Sequence, residues 1–236
     1  MENISRRVFL GLTAGTFIAP PISWTAEEVP SLLDHILLGC NDLDRGIAFV
    51  EERTGVRAAF GGVHPGRGTQ NALLSLGTRR YLEIISPDPH QHEGSPLSHC
   101  LLQLKEPHLV GWAAHPGDIQ SFAAKLAQSG VAADGPTPGS RKRPDGQLLQ
   151  WKTLNLRDNP AYLLPFFIEW SADSLHPSAD APKGCSLLRF EAATPDLDAL
   201  SKQIALLGLN LPVTKADKPQ LRATVGGPKG ELSVTS

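Results

Sequence analysis

Apolar and polar residues along this chain follow two periods, and the switches between them mark its elements. From Asp34 the short apolar run "HILLGC" has the length of a strand, and Asn41-Asp42 behind it supplies a helix N-cap. In "DLDRGIAFVEERTG" the residues Leu43, Ile47, Phe49 and Val50 recur at helical spacing, and Gly55 closes the helix. Three strand-like runs follow: "VRAAFGG", "NALLSLG" and "RRYLEIISP", the last ended by Pro87. The order is β-α-β-β-β.

That order recurs. "HLVGWAAHP", the helix "DIQSFAAKLAQSG", the strand "VAADGP", the turn-rich "TPGSRKRPDG" and the strands "QLLQWKTLNL" and "YLLPFFIEW" form a second unit. "SLLRFEAATPD", "LDALSKQIALLG", "NLPVTK", "QLRATVGG" and "ELSVTS" form a third, weaker one. The helix-opening aspartates Asp42, Asp118 and Asp196 stand 76 and 78 residues apart, a near-constant period that marks an internal repeat. The units cover 33–87, 108–170 and 186–236, with a Ser/Ala/Pro-rich linker at 171–185. Between the first two, "SPLSHCLLQL" reads as a short helix with proline in its first turn. Strands that follow a single helix in each unit give an α+β fold class, not the alternating doubly wound kind.

Composition narrows the functions. At 236 residues, 41% hydrophobic and 19% charged, the chain can bury a sizeable core. A net charge of −2 offers neither the basic surface of a nucleic-acid binder nor a polybasic membrane tract. The one basic run, Arg141-Lys142-Arg143, lies between glycine and proline and reads as a solvated loop. Residues 1–26 have the layout of an export signal, and Ser5-Arg6-Arg7-Val8-Phe9-Leu10 resembles the twin-arginine signal that sends folded proteins to the bacterial periplasm. No later run is long enough to span a membrane, so the exported chain is expected to carry no membrane span. Cys40, Cys100 and Cys185 form no C-x-x-C motif and read as small core residues.

Two stretches suggest chemistry. "HPGRGTQN", residues 64–71, has the glycines of a phosphate cradle but leads into alternating strands, with no helix to meet an anion. It is therefore a strand-to-strand loop carrying His64, Arg67, Thr69, Gln70 and Asn71, either a structured surface hairpin or a pocket rim whose polar side chains contact a ligand. The second signal is a glutamate inside each of two apolar strands: Glu83 in "YLEIIS" and Glu169 in "LPFFIEW", at matched places in their units. A buried carboxylate must be paired, protonated or bound to a cation. His35, at the start of the first strand, can join them as a third ligand of a divalent ion. The alternatives are a hydrogen-bonded core histidine and glutamates paired with arginines.

These residues together resemble the vicinal oxygen chelate superfamily, which includes glyoxalase I, and within it the glyoxalase-like domain branch. The quoted stretches "LDHILLGCNDLDRGIAFVEERTGV", "GGVHPGRGTQNALLSLGTRRYLEIISP" and "LPFFIEW" carry the likeness over residues 33–170. The resemblance implies paired units whose curled mixed sheets form an open barrel around a metal (Zn, Fe, Mn or Ni). Its ligands map onto His35, Glu83 and Glu169, and the fourth position is Gly111. It implies a small-molecule substrate chelated through neighbouring oxygens, isomerase, lyase or dioxygenase-type chemistry, and Glu83 or Glu169 as a base whose pKa apolar neighbours raise. His64, Gln70 and Asn71 would orient the substrate. Metal-free drug-sequestering members imply a second reading, a binder walled by Trp112, Trp151, Phe167 and Tyr81. The third unit would pair within the chain or across a homodimer.

Overall fold

A computed structural model of the protein describes residues 29–91, 94–143 and 145–236; the export-signal reading falls outside them. The first unit runs β1 (Leu33–Gly39), α1 (Leu43–Thr54), β2 (Ala59–His64), β3 (Thr69–Ser75) and β4 (Tyr81–Pro87). A short helix α2 (Pro96–Leu102) leads to the second: β5 (His108–Ala114), α3 (Ile119–Gln128), β6 (Ala133–Lys142), β7 (Leu148–Leu156) and β8 (Phe166–Trp170). The third comprises β9 (Ser186–Thr194), α4 (Leu197–Leu206), β10 (Val213–Lys215), β11 (Gln220–Gly227) and β12 (Gly230–Thr235).

The local signals act as their chemistry requires. Asp42, Asp118 and Asp196 each cap a helix, accepting from the amides of Arg45, Ser121 and Ala199 at 2.8, 2.6 and 3.0 Å. Gly55 ends α1 at φ 79°, a left-handed conformation that glycine adopts without strain. Ser95 caps α2 with Pro96 in its first turn.

Units one and two build one eight-stranded mixed sheet in the order β2-β3-β4-β1-β5-β8-β7-β6. In each unit the first strand pairs in parallel with the last, β1 with β4 and β5 with β8, and β1 joins β5 antiparallel. The sheet curls into a half-barrel, the glyoxalase-like arrangement expected from the sequence. Its edge strands β2 and β6 approach each other, and the Arg141 guanidinium on β6 donates to the Gly61 carbonyl on β2.

Two readings of the second unit need correction. The turn-rich "TPGSRK" is no loop but the far half of the ten-residue β6, where an edge position tolerates Pro136 and Pro138 because their missing amides face no partner strand. Nor is Arg141 solvated: it is 4% exposed.

The third unit keeps the element order but pairs its strands differently, as β10-β9-β11-β12 with β9 parallel to β10. It packs within the chain on the outer side of the half-barrel. There the Phe190 ring stands edge-on to Trp112 at 5.3 Å, and both units share one hydrophobic core with α1. All three cysteines are free; Cys40 and Cys185 are buried and Cys100 is exposed. Among the described residues no helix is long and apolar enough to cross a membrane.

Candidate functional site

The period of two in β4 turns Tyr81, Glu83 and Ile85 to the concave side of the half-barrel, leaving Leu82 and Ile84 for the core under α1. On that side lies a cavity of about 690 Å³. His35 and Leu37 of β1, the β2–β3 hairpin and Phe166, Ile168 and Trp170 of β8 enclose it; Trp151 and Arg141 close its far wall and the start of α2 its rim.

Glu83 is the polar centre of this cavity. Asn71 Nδ2 donates to Glu83 Oε1 at 2.7 Å, His35 Nε2 lies 3.5 Å from Oε2, and His64 Nε2 lies 3.7 Å from Oε1. His64 is fixed from behind by Thr69 Oγ1 at 2.9 Å. "HPGRGTQN" is thus a tight hairpin that brings His64 and Asn71 onto Glu83, the geometry its flanking strands imply. Gly61 makes this possible, since a Cβ there would stand 2.5 Å from Asn71 Oδ1.

The expected raised pKa of Glu83 is reversed. Burial pushes it up, but His64, His35, the Asn71 amide and Arg141 together outweigh burial and hold it below the ordinary carboxylate value. His64 itself is pushed down by burial, which favours its neutral form.

Behind His35 stands Asp34, fully buried. The β1–β5 register slips between Leu33 and His35, a bulge that leaves Asp34 unpaired and lets its carboxylate reach its neighbour's ring. Asp34 Oδ1 accepts from His35 Nδ1 at 2.7 Å, so Nε2 is the His35 atom that faces Glu83. The other oxygen accepts from His176 Nε2 at 3.1 Å and Trp170 Nε1 at 3.2 Å. Burial raises the Asp34 pKa, but His176 and His35 reverse this and hold it far below the carboxylate range. The His35 ring stacks on Tyr81 at 4.5 Å.

The remaining expected site residues lie elsewhere. Glu169 shares a β8 face with Phe167, which packs against Phe122 of α3, so it points away from the cavity. It accepts from the Ile119 amide at the start of α3 at 2.7 Å and lies 3.8 Å from Lys152 Nζ. Trp112 is in the core, donating to the Leu163 carbonyl at 3.0 Å. Gln70 donates to the Pro87 carbonyl at 3.2 Å, outside the cavity lining. Of the expected aromatic walls, Tyr81 and Trp151 line the cavity and Trp112 and Phe167 do not.

The strand pairing explains why the second half of a metal site is missing. His35 sits opposite Ala113 and Leu37 opposite Gly111, so a local two-fold relates His35 to Gly111 and Leu37 to Ala113. Leu37 pairs with Glu83, and Ala113 pairs with Phe166. The second unit therefore presents glycine and phenylalanine where the first presents histidine and glutamate, and the Phe166 ring lies 5.5 Å from that of His35. His64 does not complete a centre, because its Nε2 is met by the Asn71 amide at 3.3 Å. Among the described residues no group of three His, Cys, Asp or Glu is arranged to hold a metal ion. The residues present do not fit the divalent-metal centre that the superfamily implies.

Asp34, Arg141, His176 and Trp170 escaped the sequence reading. One signal was available for the first: an acid directly before the ligand-like histidine, at the head of an apolar strand.

The family model for the glyoxalase-like domain matches residues 33–208, and the chain belongs to that family. Among solved structures it is similar to a hypothetical protein from Staphylococcus aureus, with TM-score 0.62, 18% identity and coverage of 86% of this chain and 84% of that one. It is less similar to methylmalonyl-CoA epimerase from Mycobacterium tuberculosis (TM-score 0.43, 18% identity, 62% of this chain and 91% of that one). A variant of the Streptomyces coelicolor epimerase in complex with 2-nitronate-propionyl-CoA gives TM-score 0.45, 21% identity and coverage of 62% and 99%. No curated protein matches the chain. These likenesses concern the fold.

Proposed function

We propose that the protein is a small-molecule enzyme that moves a proton at a carbon next to a carbonyl group, with Glu83 as the proton acceptor. One observation carries the reading: an ionised carboxylate at the centre of a roomy cavity, 7% exposed and set by Asn71, His35 and His64. A base acts when it is unprotonated, within reach of the substrate and fixed in direction, and Glu83 meets these conditions. Its depressed pKa makes it a modest base. His35 Nε2 lies 3.5 Å from it, and Asp34 at 2.7 Å from Nδ1 fixes the direction of that ring. Tyr81 and Phe166 against the His35 ring exclude water from this array. The proton transfer uses no metal, because among the described residues Gly111 and Phe166 stand in the second unit where His35 and Glu83 stand in the first.

The test is exchange of carbon-bound hydrogen for solvent deuterium on a panel of ketones, 2-oxo acids and hydroxyketones, followed by NMR. Exchange is expected with the wild-type protein, and Glu83→Gln is expected to slow it by about 100-fold or more. Undiminished exchange in Glu83→Gln, or elemental analysis finding stoichiometric divalent metal, sinks this mechanism. The aromatic wall of Tyr81, Trp151, Phe166 and Trp170 supports a second reading, a binding protein that holds an apolar ligand without turnover. Its mark is tryptophan fluorescence quenched by ligand in a protein inert towards every carbonyl compound.

A further inference from the structure

Arg141 is a buried cation without a matching anion. It is 4% exposed, yet among the described residues no carboxylate lies within ion-pair distance of it. Less buried arginines of the chain do have carboxylate partners: Arg143 pairs with Asp180, and the half-exposed Arg189 and Arg222 converge on buried Glu191 at 2.7 and 3.3 Å. Leaving a buried guanidinium unpaired is costly, and the usual remedy is a counter-charge.

A structural role accounts for part of Arg141. One nitrogen donates to the Gly61 carbonyl and ties edge strand β6 to edge strand β2 across the mouth of the half-barrel. The guanidinium carries five N–H donors, however, and this tie uses one. Its position is prepared by Gly62, where a Cβ would lie 3.1 Å from the Arg141 nitrogen. The same group forms part of the cavity wall, on the strand next to the one that carries Trp151. Glu83 is near enough to sense Arg141 electrostatically without pairing with it.

We infer that Arg141 anchors an oxyanion, carboxylate or phosphate, at one end of the cavity's ligand, whose apolar body lies against the tryptophan wall. The planar fork of an arginine matches both groups, and the tie to Gly61 pre-sets its direction. This inference rests on the reading that the cavity takes a small molecule, and it adds the class of that molecule.

Three probes test it in equilibrium titrations of tryptophan fluorescence on the full chain: benzoate, phenyl phosphate and the neutral isostere benzamide. Benzoate or phenyl phosphate is expected to bind at least about tenfold more tightly than benzamide, and the better of the two names the oxyanion. Arg141→Gln is expected to erase that preference, whereas Arg141→Lys keeps part of it. The inference is overturned by benzamide binding as tightly as the anions, by Arg141→Gln keeping the preference, or by neither anion binding. Should Arg141→Gln fail to fold, the wild-type comparison and Arg141→Lys still decide the matter. Binding needs no proton transfer, so loss of anion preference at Arg141 and loss of hydrogen exchange at Glu83 fail separately.

Discussion

Glu83 keeps its charge in a buried place because three strands each bring it a polar partner: His35 from β1, His64 from β2 and Asn71 from β3. The folded-state pKa values of Glu83, Asp34 and His64 all lie below their ordinary ones. Each such group contributes stability that is full above its ordinary value and lost as the pH falls from there through the folded value. Loss therefore begins below 6.5 with His64 and deepens below 4.5 with Glu83, and Asp34 follows at lower pH still. Glu83→Gln should flatten the drop of Tm below pH 4.5, and a drop as steep as the wild type's would remove Glu83 from the account. Asn71→Ala should move the loss to higher pH and cost about 1–3 kcal/mol, because it strips a buried carboxylate of its shortest hydrogen bond. At this scale His35, Glu83, His64 and Asn71 were legible, since polar residues in apolar strands stand out. Glu169 stood out equally, but both faces of "FFIEW" are apolar, so alternation could not say which face looks inward.

Among the elements, the stretch read as a linker between the second and third units is a strap. His176 Nε2 reaches Asp34 at 3.1 Å, its Nδ1 accepts from the Ser178 amide at 3.2 Å, and the Pro182 carbonyl accepts from the Ser75 amide at 2.9 Å. The Nδ1 contact fixes the tautomer with its proton on Nε2, aimed at Asp34. His176→Ala should therefore cost about 1–3 kcal/mol, read as a lower midpoint in urea at unchanged slope. A mere linker residue would shift stability by less than about 0.5 kcal/mol. The Ser/Ala/Pro composition gave no sign of this, because a single histidine in a polar stretch carries no periodicity. The hairpin at residues 64–71 was legible for the opposite reason: it is local, with a glycine-rich turn between two alternating strands.

On the scale of the whole molecule, the third unit is bound to the half-barrel through its core. Phe190 is fully buried against Trp112, and Leu221, Val225 and Leu232 extend the same apolar cluster. Phe190→Ala should cost about 3–5 kcal/mol, and the eight-stranded and four-stranded sheets should unfold in one transition. Two separated transitions, with only the weaker one shifted, would show that the third unit folds on its own. The repeat period drew attention to this unit but concealed its different pairing, since element order does not specify which strands become neighbours.

The sequence by itself determined all the elements except the far half of β6, the helix caps, the repeat of the β-α-β-β-β unit and the polar residues of the first unit. These follow from local chemistry: period, N-cap aspartates, turn glycines, and charge where a strand should be apolar. Only the tertiary structure decided that Glu169 serves α3, that Phe166 stands where a second carboxylate would be, that Asp34 and His176 stand behind His35, and that Arg141 lines the cavity. Each of these depends on a contact between residues far apart in the chain, or on which face of a doubly apolar strand turns inward. Strand register, bulges and edge-to-edge closure set those contacts, and they are properties of the assembled sheet.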